Sequence, residues 1–188
     1  MSADPAIHVL FLRGINVGGH NKLPMADLRK MLNGLGLRDV KTYIQSGNAV
    51  FRGASIAAEQ IAEAIEAQFG FLPQAMVLEA AQLDAVLAAN PFAAAGAEYG
   101  ATVQIGFLAK PSALADTGIL ASIAAADEEF QVTNAAFYLH APGGTGRSKL
   151  AAKAERLLGV PMTMRNQRVA MAVAALAAAV PQIGDDNA

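Results

Sequence analysis

Val40-Lys41-Thr42-Tyr43-Ile44-Gln45-Ser46-Gly47-Asn48-Ala49-Val50-Phe51-Arg52 is the stretch that decides the fold. Val40 to Ile44 and Ala49 to Arg52 read as strands, joined at Gln45-Ser46-Gly47-Asn48. Gly-Asn marks a tight hairpin, because both residues accept positive φ. Upstream, the apolar run Ile7 to Leu12 reads as a buried strand. It passes into Leu12-Arg13-Gly14-Ile15-Asn16-Val17-Gly18-Gly19-His20-Asn21-Lys22, a glycine-rich loop. Pro24 suits a first helical turn. Met25, Leu28, Leu32 and Leu35 then recur on one helical face until Gly34 and Gly36 end it. Downstream, Ser55 can cap a helix that carries Ile61, Ile65 and Phe69 along one side and stops at Gly70. Gln74 to Leu78 returns as a strand. The order β-α-β-β-α-β is the split-βαβ, or ferredoxin-like, pattern.

The pattern then begins again. Ala80 to Ala89 predicts a helix stopped at Asn90-Pro91, and the alanine- and glycine-rich stretch to Gly100 predicts a loop. Thr102 to Leu108 follows as a strand, Pro111 to Ala121 as a helix, and Phe130 to Thr133 with Ala135 to His140 as a hairpin around Asn134. Ser148 to Leu158 reads as a helix, Pro161 to Met164 as a strand, and Asn166 to Val180 as a last helix. Tyr43 to Phe51 can be laid over Phe130 to Tyr138, and Gly70-Phe71-Leu72-Pro73 over Gly159-Val160-Pro161. The expected fold is therefore α+β: duplicated ferredoxin-like units, each followed by an extra helix. Residues 1–92 are expected to form the first unit, 93–100 a linker, 101–183 the second unit, and 184–188 a flexible tail.

The chain has 188 residues and 54% apolar content, ample for a core. No apolar run approaches the ~20 residues that span a bilayer, so no membrane partner is expected. Met1 to Pro5 lacks the basic start and apolar core of a signal peptide. There is no cysteine, which excludes disulfides, thiolate nucleophiles and cysteine zinc sites and fits a cytoplasmic protein. The net charge of −2 is unlike that of a nucleic-acid polycation. The charge is unevenly placed, however. Residues 1–52 hold seven Lys/Arg against three Asp/Glu, residues 53–132 one against ten, and residues 133–188 six against three.

Two clusters bear chemistry. In a split-βαβ unit the exit of the first strand and the tip of the central hairpin lie at one end of the sheet. That brings Arg13, Gly14, Asn16, Gly18, Gly19, Asn21 and Lys22 beside Gln45, Ser46, Gly47 and Asn48. Arg13 offers a planar donor fork, and the hairpin residues offer neutral donors and acceptors. The free N–H groups of the helix opening at Pro24 point the same way. The second cluster is Pro142 to Lys149. Ala141 followed by Gly146-Arg147-Ser148 resembles a phosphate-binding P-loop, but Arg147 stands where that motif needs lysine. The preceding strand belongs to a hairpin, and no strand ending in aspartate follows to hold magnesium. A nucleoside triphosphatase is thereby set aside. Anion binding by Gly146, Arg147, Ser148 and Lys149 remains, joined by Arg165 and Asn166 at the same end of that unit. Ser148 serves equally as a plain helix cap. His8, His20 and His140 are isolated from other ligand-type residues, so neither a metal nor another cofactor is expected. No general base is identifiable, and whether the protein is an enzyme is left open.

These motifs together resemble the bacterial family known as domain of unknown function 1697. Its pattern L-R-G-I-N-V-G-G-x-N-K stands here at Leu12 to Lys22, and T-Y-I-Q-S-G-N-x-V-F at Thr42 to Phe51. A-N-P-F stands at Ala89 to Phe92, a G-x-G-x-S-K-L-type loop at Gly144 to Leu150, and T-x-R-N at Thr163 to Asn166. The family pattern continues with an aromatic and a second asparagine, where this chain reads Gln167-Arg168-Val169. The resemblance implies a duplicated ferredoxin-like fold and brings no activity with it. The leading expectation is a small phosphorylated or carboxylated ligand. The alternatives are nucleic-acid binding by the basic ends, or a protein-interaction module whose loops are structural.

Overall fold

The computed structural model describes residues 6–112 and 117–181. Among them the fold is α+β, with two four-stranded antiparallel sheets and seven helices. By contacts the chain forms two compact units, residues up to 84 with those from 172 onward, and residues 85–171.

The first unit holds β1 (Ala6–Arg13), α1 (Met25–Gly34), β2 (Arg38–Tyr43), β3 (Asn48–Gly53), α2 (Ala58–Phe69) and β4 (Gln74–Glu79). The sheet order is β2-β3-β1-β4, with every neighbour antiparallel. β1 is an inner strand buried on both faces. Val9 and Phe11 point one way, Leu10 and Leu12 the other, all fully buried. This is why Val9 to Leu12 reads as an unbroken apolar run rather than an alternation. Leu10, Leu12, Ala49 and Phe51 form one core with Leu28 and Leu32 of α1 and Ile61 and Ile65 of α2. α3 (Ala80–Ala88) starts where β4 ends, with Gln82 Oε1 accepting from the Glu79 N–H at 2.8 Å.

The second unit contains α4 (Ala93–Glu98), β5 (Val103–Leu108), α5 (Gly118–Ala121), β6 (Glu129–Val132), β7 (Ala136–His140), α6 (Lys149–Leu158) and β8 (Met162–Asn166). Its sheet order is β6-β7-β5-β8, again antiparallel. Phe137 and Leu139 of β7 pack with Leu150, Ala154 and Leu158 of α6. Tyr138 is buried, and its hydroxyl donates to the Val86 carbonyl at 2.8 Å. Burial pushes this phenol's pKa up, and a hydrogen bond with Thr133 offsets part of the shift. The last helix, α7 (Gln167–Ala178), begins in this unit, and from Ala172 its residues belong to the first. Among the described residues no helix is long and apolar enough to cross a membrane.

Several local expectations need correction. The β2–β3 turn is not built on Gly47-Asn48. Tyr43 pairs with Asn48, so the turn is Ile44 to Gly47, with positive φ at Ile44 and Gly47. Asn48 is already strand and fully buried. Ser55 does not cap α2, whose N-cap position is Ala57 with no side-chain acceptor. The expected loop at 93–100 contains α4, because consecutive alanines sustain a helical turn at no side-chain entropy cost. Of the expected Pro111–Ala121 helix, only Gly118–Ala121 is helical among the described residues. Residues 113–116 lie outside them, as does the expected tail at 184–188. The overlay of residues 43–51 on 130–138 is one residue out of phase. Leu12 N–H donates to the Gly47 carbonyl at 2.8 Å, and Leu108 N–H donates to the Ala135 carbonyl at 3.0 Å, so Phe51 matches Leu139 rather than Tyr138. A one-residue slip turns every side chain to the opposite face, and Leu139, like Phe51, belongs to the core beneath the helices.

The end of α7 is tied to the first sheet by cations. Arg52 of β3 is buried, its Nε donates to the Asp39 carboxylate at 2.9 Å, and its guanidinium also donates to the Pro181 carbonyl. Lys41 Nζ donates to the Ala179 carbonyl at 3.2 Å. The last carbonyls of a helix lack intrahelical donors and carry the negative end of its dipole. Replacing Arg52 by alanine strands both oxygens. We expect a loss of about 2 kcal/mol, because Asp39 can still reach water. Urea unfolding should read this as a lower midpoint, with Arg52→Lys falling between the two.

Candidate functional site

β1 runs out of the sheet into the loop that carries the first cluster. Arg13, half-buried, still pairs across the sheet with Gln74. Beyond it the backbone takes positive φ at Gly14, Asn16, Gly18, Gly19 and Asn21. Val17 and His20 bridge each other, and His20 N–H donates to the Val17 carbonyl at 3.0 Å. Gly18-Gly19 is therefore a two-residue turn of the primed type, which needs positive φ at both central positions.

The loop is locked by its own asparagines. Asn16 Nδ2 donates to the Leu23 carbonyl at 3.0 Å and to the Gln45 carbonyl at 2.8 Å, while its Oδ1 accepts from Leu23 N–H at 2.8 Å. One side chain thus joins the loop, the turn after β2 and the approach to α1. Asn21 Nδ2 donates to the Gly14 carbonyl at 2.8 Å, and Asn16 N–H to the Asn21 carbonyl at 3.0 Å. In the turn, Asn48 Nδ2 donates to the Tyr43 carbonyl at 3.1 Å and to Ser46 Oγ at 2.9 Å. Gly47 is required by shape as well as by φ. A Cβ there would lie 2.7 Å from both Leu12 Cβ and Ile15 Cδ1.

The structure therefore brings the two halves of the first cluster together and divides their roles. Asn16, Asn21, Gly47 and Asn48 hold the loops. Lys22, Gln45 and Ser46 are exposed, as is His20, which the expected set did not include. Val17 is 67% exposed and Ile44 50%. Ile44 holds φ of 48°, a strained value for a β-branched residue. Sequence gave no hint of this strain, since the signal pointed to Gly-Asn.

In the second cluster, Thr145–Arg147 is a single 3₁₀ turn, and Gly144 N–H donates to the Ala141 carbonyl at 2.8 Å. Gly146, Arg147 and Lys149 are exposed. Ser148 is buried and caps α6, its Oγ accepting from Ala151 N–H at 2.9 Å. Asn166 caps α7 in the same way, accepting from Val169 N–H at 2.9 Å. Burial lowers the Arg165 pKa to about 10, which leaves it a cation at neutral pH. Register puts His140, which leads into this loop, beside Val103, and Asn166 beside Gln104. Both pieces thus share the end of the sheet where β5 enters.

Sequence reasoning also missed a buried lock in this unit. Gln167 is 3% exposed. Its Oε1 accepts from Asn90 Nδ2 at 2.8 Å, and its Nε2 donates to the Ala93 carbonyl at 3.0 Å. A Cβ on Gly96 would strike this amide. Asn90 Oδ1 accepts from Phe92 N–H at 3.0 Å, so Ala89-Asn90-Pro91-Phe92 is a structural clasp. Gln167 thus serves packing here. Among the described residues no three His, Asp or Glu side chains cluster as metal ligands would.

A sequence profile described as a protein of unknown function, DUF1697, matches residues 6–138. The solved structure of a conserved bacterial protein from Streptococcus pneumoniae is similar over 92% of this chain and 98% of its own, at 25% identity and a TM-score of 0.65. No curated relative matches.

The locking role of Asn16 yields a direct expectation. Asn16→Ala removes three hydrogen bonds, two donated and one accepted, and should cost about 2–3 kcal/mol. Lys22→Ala, at an exposed position, should stay within about 0.5 kcal/mol. Chemical denaturation of the two variants beside wild type checks the contrast.

Proposed function

The chain belongs to the DUF1697 family, and from the first loop we propose that it binds a small phosphorylated or carboxylated ligand there. One observation carries this reading. The asparagine amides are turned onto the loop's own backbone, and Lys22, Gln45, Ser46 and the Gly18-Gly19 turn stand on the exposed side. A loop fixed before binding loses little entropy on binding. No Asp or Glu occurs from Leu12 to Pro24 or from Thr42 to Val50, so nothing within these loops repels an anion. Arg147, Lys149 and Arg165 make a second basic end of the same chemical kind, with Ser148 and Asn166 as its caps.

Two further readings go with this one. Each unit is a ferredoxin-like repeat, supported by the shared strand order and by the matching hydrogen bonds from Leu12 and Leu108. The protein works in the cytoplasm, supported by a sequence without cysteine. Exposed Val17 and Ile44 favour a different role for the same loops, as a protein-binding tip.

Thermal shift against sugar phosphates, nucleotides, di- and tricarboxylates and short oligonucleotides separates these. A ligand at a hundred times its Kd adds about 2.7 kcal/mol. We expect one class of small anion to raise the Tm of wild type, Lys22→Ala to reduce that rise while keeping the unliganded Tm, and Arg13→Ala to reduce the rise as well. A response to oligonucleotides alone, abolished by salt, would replace anion binding by nucleic-acid binding.

A further inference from the structure

The first unit carries a pocket at the opposite end of its sheet from the glycine-rich loop. It is an open depression of about 270 Å³ between the start of β1, the β3–α2 connection and the end of β4. His8, Ser55, Ala58, Val77, Glu79 and Gln82 line it. It occupies the position in this unit that the Gly143–Lys149 loop and Arg165–Asn166 occupy in the other, yet its chemistry differs.

His8 is the unusual member. It is only 4% exposed and stacks on Phe51 with ring centroids 5.4 Å apart. Its Nδ1 lies 3.1 Å from the Ala6 carbonyl. A carbonyl only accepts, so Nδ1 carries a proton, and in that tautomer Nε2 is a lone pair. Nε2 has no partner among the described residues. Among those residues no fully buried side-chain nitrogen lacks a partner, so Nε2 keeps its access to the pocket. Glu79 lies directly across from His8 on β4, and paired residues share a face. That wall is thus made of acceptors, one of them anionic.

The facing wall is made of donors. α2 begins at Ala58 behind Ala57, which has no side-chain acceptor; Ala57 N–H donates to Gln60 Oε1 at 3.2 Å and Gln60 N–H to the Ala57 carbonyl at 3.1 Å, which leaves the Ala58 and Glu59 amides at the helix start without a side-chain cap. Ser55 adds a hydroxyl. On the other side, beside Glu79, Gln82 uses its Oε1 on the Glu79 amide, which leaves its NH₂ to donate. A simple anion would meet Glu79, and a simple cation would meet the positive end of α2. A ligand carrying both charges satisfies both walls.

We infer that this pocket binds a free α-amino acid. The ammonium sits between the Glu79 carboxylate and His8 Nε2, and the carboxylate lies at the first amides of α2 and the Ser55 hydroxyl. Val77 and Ile56 receive the side chain. This site is separate from the glycine-rich loop and does not depend on the reading proposed for it.

Heteronuclear NMR of the full chain tests it, observing the imidazole nitrogens and backbone amides during titration with L-alanine, L-leucine and L-glutamine. Propionate and ethylamine serve as half-ligand controls. We expect saturable shifts at His8 Nε2 and at the Ala58 and Glu59 amides for at least one amino acid, with the half-ligands far weaker. Glu79 is exposed, so Glu79→Gln should fold as wild type and weaken binding about tenfold or more. Arg13→Ala should bind the amino acid unchanged. No response at His8 and α2, equal binding of a half-ligand, unaltered affinity in Glu79→Gln, or loss in Arg13→Ala would each overturn the assignment.

Discussion

Three hydrogen bonds from one side chain, that of Asn16, hold the first unit's upper end together. The chain there must leave a buried strand, reverse twice and enter a helix, with Gly14, Asn16, Gly18, Gly19 and Asn21 all at positive φ. A backbone in that state has no ladder to satisfy it, so its polar groups need other partners. Asn16 supplies them and takes hold of the β2–β3 turn as well. Asn21 and Asn48 repeat the device within the loop and within the turn. The shape of the exposed surface follows from these inward-facing amides. The outward-facing residues are left to contact a ligand or partner.

Much of the architecture was legible because it rests on periodicity. β1 showed through its apolar run Val9 to Leu12, because both faces of the strand are buried there. α1 and α2 showed their buried stripes through Leu28 and Leu32 and through Ile61 and Ile65. The meeting of the first loop with the hairpin turn also followed from element order, and the hydrogen bond from Asn16 to Gln45 realises it. Atomic roles were not legible. An asparagine in a polar loop offers the same composition whether its amide faces a ligand or its own backbone. Gly47 reads as a turn glycine, and the further need for it, the approach of Leu12 and Ile15, is made by residues more than thirty positions away. The one-residue slip was hidden because apolar residues fall on both faces of β3 and of β7.

The second cluster shows the same limit. Ser148 and Asn166 stand in motifs suggestive of phosphate binding, and each caps a helix. Capping and anion binding use the same N–H groups, so sequence does not separate them. The pocket near His8 lay hidden for the opposite reason. Its residues come from β1, the β3–α2 connection and β4, and no motif links them.

The division of the chain has a consequence for how it is made. Residues 85–171 are contiguous, whereas the first unit needs residues from 172 onward, including the carbonyls that meet Lys41 and Arg52. A ribosome emits the chain from its N-terminus. The first unit, although synthesised first, is therefore completed last, and the second can reach its full set of contacts while the first still waits for α7. All four strands of the first sheet have been made by Glu79, but until α7 follows Arg52 lacks the Pro181 oxygen and Lys41 the Ala179 oxygen.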